Sequence, residues 1–287
     1  MVKTCLSTYS LWRYNGVMSI YDMIAKTAEW GFEAIEFTDG PWLFESDEKE
    51  LRRIGDAARS AGLEVVNLCC DGDLINGSDG DLDREVERIC RNVDRATAIG
   101  SRMMRHDAGH LPKERKRGLG YAYNLERLAE GCRRVTEYGQ SVGVMTLTEN
   151  HGVFSQDPDR VASLVDAVDH PNFGLLVDIG NFMDIDYVPY KAVSKLAPYA
   201  YHVHCKDCLF KKGTEVFPGD NWYCTAGGNY NRGTIVGHGD AGVSQCIRIL
   251  KNAGYDGCIS IEYEGVEDAM AGIPASLSNV KRFWDIA

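Results

Sequence analysis

The sequence predicts an α/β protein of the (β/α)8 TIM-barrel class, one domain over residues 1–287. Three observations predict it. Short apolar runs alternate with helix-length stretches eight times, and repeated βα units imply a parallel sheet. The last four strands each stop at a residue of metal-ligand type. No GxGxxG follows the first strand, which disfavours an open doubly wound sheet. Ligands on four consecutive strands would spread apart along an open sheet, whereas around a barrel they converge on one mouth.

The first strand, Lys3 to Ser7, leads to a helix over Val17–Trp30, closed by Gly31. A strand from Glu33 to Phe37 precedes a helix from Asp47 to Ala61, closed by Gly62. Leu63 to Cys70 is the third strand, and the polar, Gly-rich DGDLINGSDGD is a loop. A helix from Leu82 to Ile99 stops at Gly100, and SRMMRHD is the fourth strand. The fourth helix runs over Tyr121–Ser141, and the fifth strand, VMTLTEN, follows Gly143. Asp157-Pro158 opens a helix near Asp159–Val168; FGLLVDIGN is the sixth strand, and a short helix over Pro189–Leu196 leads to the seventh, YAYHVHCKD. A long loop is expected from Cys208 to Gly239, then a helix over Val243–Ala253, an eighth strand over Cys258–Tyr263 and a last helix over Pro274–Trp284. No linker or shift in composition marks a second domain.

Hydrophobic residues make up 44% of the 287 and charged residues 25%, ordinary values for a globular chain with a sizeable core. The net charge of -11 argues against nucleic acid as a partner. The one basic cluster, Lys113 to Gly118, reads as a solvated loop. The N-terminus MVKTCLSTYS has no apolar signal core, and no apolar run reaches membrane-spanning length. A cytoplasmic protein with no membrane partner is expected, with reduced thiols. Of ten cysteines, Cys5, Cys69, Cys70, Cys205 and Cys258 fall in expected buried strands. Cys205 and Cys208 form a CxxC without the second pair that a zinc ribbon needs, so the spacing is incidental.

The candidate centre consists of Glu149, Asp178, His204 and Glu262, one from each of the last four strands. An isolated acid at a strand end is usually a turn residue. Four at matching positions are hard to bury together without a cation, because like charges repel in a low dielectric. Strand alternation places Met145, Leu147 and Glu149 on one face, His202, His204 and Lys206 on one, and Ser260, Glu262 and Glu264 on one. His151, two after Glu149, is a candidate hydrogen-bond donor or second base if the strand continues. Lys206 is a candidate for holding a negative oxygen, against a simple salt bridge to Asp207 or Glu264. Glu36, Asn67, Arg105 and His106 end strands two to four, and Glu36 and His106 are retained as candidate substrate contacts. His202 reads as a core group beneath His204; His110 and His170 read as solvated. The 208–239 loop carries Phe210, Phe217, Trp222, Tyr223 and Tyr230, suited to a lid over a sugar face or to a subunit interface, and ends in GHGD with His238 as a candidate contact.

The succession GFEAIEF, ENHG, FGLLVDIGN, HVHCKD, GHGD and GYDGCISIEYE resembles the sugar phosphate isomerase/epimerase group of the xylose isomerase-like barrels, over nearly the whole chain. That resemblance implies Glu149, Asp178, His204 and Glu262 as ligands of one divalent ion. Epimerases of the group have a His three residues after the metal Asp, where this chain has Asn181. The oxygen-rich set favours Mn²⁺, with Mg²⁺, Co²⁺ and Zn²⁺ as alternatives. Such an ion polarises a carbonyl and stabilises the enediolate formed when the neighbouring proton leaves, with Glu149 and Glu262 as the acid–base pair. The expected activity is isomerisation or epimerisation of a keto sugar or related polyol. The first alternative is a lyase on the same scaffold, a keto-inositol dehydratase or the catalytic subunit of a 3-oxo-glycoside or C-glycoside deglycosidase. The second is a non-catalytic, metal-dependent sugar-binding barrel. A homo-oligomer is expected, with a small partner subunit in the C-glycoside-cleaving case.

Overall fold

The computed structural model describes residues 2–113 and 120–287; beyond Lys113, the basic cluster lies outside them. In chain order the elements are β1 (Lys3–Ser7), α1 (Ile20–Glu29), β2 (Ala34–Thr38), α2 (Pro41–Glu45), α3 (Glu48–Ser60), β3 (Glu64–Cys70) and α4 (Leu82–Ile99). There follow β4 (Met103–His106), α5 (Tyr121–Val142), β5 (Met145–Glu149), α6 (Pro158–Val168), β6 (Phe173–Asp178), α7 (Pro189–Leu196) and β7 (Ala200–Cys205). The last are β8 (Asp207–Lys211), β9 (Tyr223–Cys224), β10 (Tyr230–Thr234), α8 (Val243–Asn252), β11 (Cys258–Ile261) and α9 (Ala269–Ile286). Eight strands form a closed ring in the order β1-β11-β7-β6-β5-β4-β3-β2, as the alternating pattern predicts for a TIM barrel.

The chain divides into two compact units, the first comprising Met1–Ile35 with Val177–Ala287. Here β1 lies parallel to β11, from Lys3 opposite Cys258 to Leu6 opposite Ile261, and β11 lies parallel to β7. Ser19 starts α1 through a reciprocal capping box with Asp22, so the helix begins three residues later than the apolar pattern suggests. Pro189 opens α7, where its missing N–H costs nothing. Two expectations are corrected in this unit. The last helix begins at Ala269, where the Asp268 carboxylate caps the Met270 N–H, and Pro274 lies inside it rather than at its start. The 208–239 segment is not an open loop: β8, β10 and β9 form a three-stranded antiparallel sheet. Its strands are polar and Gly-containing, so their period-2 pattern is weak, and their partners lie far apart in sequence.

Aspartate anchors explain why that sheet forms. Asp186 accepts hydrogen bonds from Thr225 Oγ1, the Gly227 N–H and Asn229 Nδ2, while Asp184 accepts from the Tyr223 hydroxyl. Asp207 accepts from four main-chain N–H groups: Cys208 at 3.0 Å, Gly237 at 2.8 Å, Gly239 at 3.0 Å and Ala241 at 3.1 Å. A Cβ at Gly239 would collide with Asp207, so the GHGD turn needs a glycine there.

The second unit is Glu36–Leu176. Its ladder runs β3, β4, β5, β6, all parallel, with Leu68 opposite Met104, Met104 opposite Thr146 and Thr148 opposite Leu175. Cys69, Leu147 and Leu176 form a buried cluster with Met103 and Met145 packed against it. Gly100 and Gly143 close α4 and α5 in the left-handed region that only glycine adopts cheaply.

In this unit the DGDLINGSDGD loop folds onto α4 through one buried carboxylate. Glu85 accepts from the Asp73 N–H, the Ser78 hydroxyl and the Arg88 guanidinium, and Arg88 also reaches Asp71. Burial alone pushes the Glu85 carboxyl pKa up; those hydrogen bonds outweigh it and hold the group below its ordinary 4.5. A depressed folded pKa adds stability that is present above the unfolded value and lost as pH falls through the folded one. Glu85→Gln is therefore expected to cost about 1–3 kcal/mol at neutral pH, with the gap to wild type closing below pH 4.5. Urea unfolding of both proteins at neutral and acid pH checks this; an unchanged gap at acid pH would contradict it.

Candidate metal centre

The strand ends of the first unit bring three of the four candidate ligands together. Ser260 is in register with His204, and the Glu262 N–H donates to the Cys205 carbonyl at 3.2 Å, one step beyond. The Ile179 N–H donates to the His204 carbonyl at 3.0 Å, which ties the end of β6 to β7 just after Asp178. His204 Nδ1 lies 3.3 Å from Glu262 Oε1 and 3.7 Å from Asp178 Oδ2. Asp178 and His204 are fully buried; the Glu262 side chain is 13% exposed.

Lys206 joins them. Its Nζ stands 3.0 Å from Glu264 Oε1, 3.5 Å from Glu262 Oε2 and 3.8 Å from Asp178 Oδ2. Burial alone would lower its pKa; the carboxylates of Asp178, Glu264 and Glu262 overcome that and hold it well above the ordinary lysine value. Lys206 is therefore an ammonium ion tied to Glu264, and Asp207 is not its partner, being engaged by the GHGD main chain. Burial raises the Glu264 carboxyl pKa, with Lys206 opposing. Asn181 is buried and donates its N–H to Asp178 Oδ1 at 2.8 Å, which orients that ligand.

Glu149, in the second unit, ends β5 and is 3% exposed. The Arg105 guanidinium grips it and also reaches Asp107 at 2.9 Å. His151 does not continue the strand: its N–H turns back to the Glu149 carbonyl, and its ring nitrogen Nδ1 lies 3.0 Å from Asp107 Oδ1. Burial lowers the His151 pKa and the Asp107 carboxylate more than restores it, to above the ordinary value. Pattern reading noted Arg105 at its strand end without retaining it, and passed over Asp107. The charged pair in MMRHD was the available signal, since a buried Arg needs a carboxylate partner.

Within the first unit, Asp178, His204 and Glu262 bring two carboxylate groups and one imidazole together out of water, a donor set that fits a hard or borderline divalent cation. The other sequence candidates are placed elsewhere. Glu36 is fully buried and accepts from Asn67 at 2.9 Å. His202 meets His204 edge-on at 5.7 Å between ring centres. Alternation turns His106 away from the face that Arg105 shares with Glu149, and its Nδ1 pairs with the Asp107 carbonyl. His238 is exposed in the GHGD turn, which contributes main-chain donors to Asp207. Cys205 and Cys208 are free, buried thiols whose pKa burial pushes up, so neither is a ready thiolate.

Among the described residues, no helix is long and apolar enough to cross a membrane. A putative hydroxypyruvate isomerase of Homo sapiens is 22% identical over 295 residues, covering 96% of this chain and 93% of that protein. Two solved structures align at a TM-score of 0.74. A probable 3-DHS dehydratase from Bacillus anthracis is 20% identical, with 97% of this chain and 98% of that one covered. A D-psicose 3-epimerase is 14% identical, with 98% and 99% covered. At such identities the two structures speak for the fold alone. Residues 24–283 match the family model of the xylose isomerase-like TIM barrel, and the chain belongs to that family.

Proposed function

We propose that this protein is a divalent-metal-dependent isomerase or epimerase of a keto sugar or related polyol. The observation that carries the reading is the buried set of Asp178, His204 and Glu262 in the first unit, with Glu149, gripped by Arg105 in the second, as the fourth ligand of the proposal. When bound there, a divalent ion, with Mn²⁺ as our choice, supplies Lewis-acid polarisation of a carbonyl and its neighbouring hydroxyl. The chain's own residues do the rest. Glu149 and Glu262 take and return the proton beside the carbonyl. Arg105 holds Glu149 in place and Lys206 stands beside Glu262, so each glutamate has a cation at its side. His151, backed by Asp107, is placed to donate to a substrate oxygen from its outer ring nitrogen.

Proton exchange tests this. In D2O the protein should exchange the hydrogen beside the carbonyl of a keto sugar, lose exchange on treatment with chelator and regain it with Mn²⁺. Exchange that survives complete metal removal refutes the reading. Metal-dependent sugar binding without exchange selects the non-catalytic barrel instead.

The three-stranded sheet favours a second reading, a lyase. Phe210 and Tyr223 are 36% and 39% exposed on it, and Phe217, in the segment between β8 and β9, is 49% exposed. Such rings suit an aglycone or a small partner subunit, and Asn181 stands where the family's epimerases carry a histidine. An unsaturated product or a released aglycone, with no interconverted sugar, would choose this reading.

A further inference from the structure

Ser10 sits in the 3₁₀ turn Thr8–Tyr14 that follows β1, is 3% exposed, and lies some 250 residues from the end of β11 in sequence. Its hydroxyl donates to the Ile261 carbonyl at 3.1 Å and accepts from the Tyr263 N–H at 2.8 Å. Those are the two residues on either side of Glu262. The ladder explains the arrangement. β1 accompanies β11 up to Leu6 opposite Ile261 and then leaves the sheet for the turn. A parallel strand directs the main-chain groups of alternate residues to the same neighbour. Ile261 and Tyr263 therefore face the side that β1 has vacated, and Glu262 faces β7, where its N–H meets the Cys205 carbonyl. A hydroxyl carries one donor and two acceptor sites, so a single serine replaces the missing rung.

We infer that Ser10 is a positioning residue for Glu262, fixing the main chain from which this glutamate reaches the cation. The inference rests on the metal-centre reading above and adds to it. Glu262 lies past the last residue of its strand. Without Ser10 the two bonds that flank it on the side of β1 are gone, and the carboxylate would sweep a wider volume. Outer groups that hold a ligand typically contribute about 10- to 100-fold to metal affinity.

The test is calorimetric titration of Mn²⁺ into metal-stripped protein, with a thermal melt of each variant alongside. Ser10→Ala should raise the Kd by about 10- to 100-fold, and Ser10→Thr, which keeps the hydroxyl, should bind close to wild type. Ser10→Cys fills nearly the same space with a weak donor and acceptor; it should follow Ser10→Ala and decides the matter if Ser10→Ala does not fold. A role in stability alone would lower the melting temperature and leave the Kd of folded protein unchanged. Wild-type Kd in folded Ser10→Ala or Ser10→Cys overturns the inference. A wild-type protein that takes up no Mn²⁺ overturns the metal reading itself, and the inference with it.

Discussion

Glu262→Gln is expected to reduce turnover by about 10²–10⁴-fold even at saturating Mn²⁺. The substitution keeps the side chain's shape and removes its charge and its basicity. As a ligand, the amide oxygen still faces His204 Nδ1, 3.3 Å away in the wild type. Part of the lost affinity is therefore recoverable with excess metal. As a base, the amide cannot take the proton from the carbon beside the carbonyl, and no concentration of metal replaces it. Steady-state kinetics at rising Mn²⁺ separates the roles. A plateau far below wild type assigns Glu262 to proton transfer; full recovery would reduce it to a ligand and sink the acid–base assignment. Glu149→Gln should behave alike in turnover, with one difference. Arg105 then loses its grip on one of two carboxylates while keeping Asp107 and the Cys70 carbonyl, so stability should fall as well. The double variant is expected to be barely slower than either single one, because residues that act as a unit are not additive.

The ring of strands was readable in the sequence, and the four residues proposed as ligands stand out there too, because both leave local marks. A strand buried on both faces is a compact apolar run, and a ligand at its end is a charged residue where the run stops. The LLVD and YHVH endings carry both signals within a few residues, as at Asp178 and His204. What escaped was set by partners remote in the chain. Arg105 reads as a flaw in MMRH until Glu149 and Asp107 are found beside it. His151 was expected to continue the alternation from Glu149, yet the chain turns immediately and Asp107 captures the ring. β9 and β10 are too short and polar to show a period, and owe their form to Asp184 and Asp186 on the turn after β6. Ser10 is one polar residue in a turn and means nothing until β11 arrives beside it.

Lys206→Met should destabilise the metal-free protein by about 3–5 kcal/mol, which lowers its melting temperature by on the order of 10 °C. Lys206 is 7% exposed and stands within 3.8 Å of carboxylate oxygens of Glu264, Glu262 and Asp178. Methionine fills much the same volume, so the loss is electrostatic: three acids are left buried without their ammonium ion. The pH dependence follows from the direction of the Lys206 shift. A folded pKa above the ordinary 10.5 means that the stabilisation is fully present below 10.5 and is lost only as pH rises through the folded value. The deficit of the variant should accordingly be constant across the neutral range. A divalent cation brings positive charge to two of the same acids, Asp178 and Glu262. Saturating Mn²⁺ should therefore raise the melting temperature of Lys206→Met by more than it raises that of wild type. Thermal melts of both proteins, stripped and loaded, give the comparison. Equal increments would mean that Lys206 and the cation do not share the charge of one cluster, and the grouping of Lys206 with the metal centre would fall.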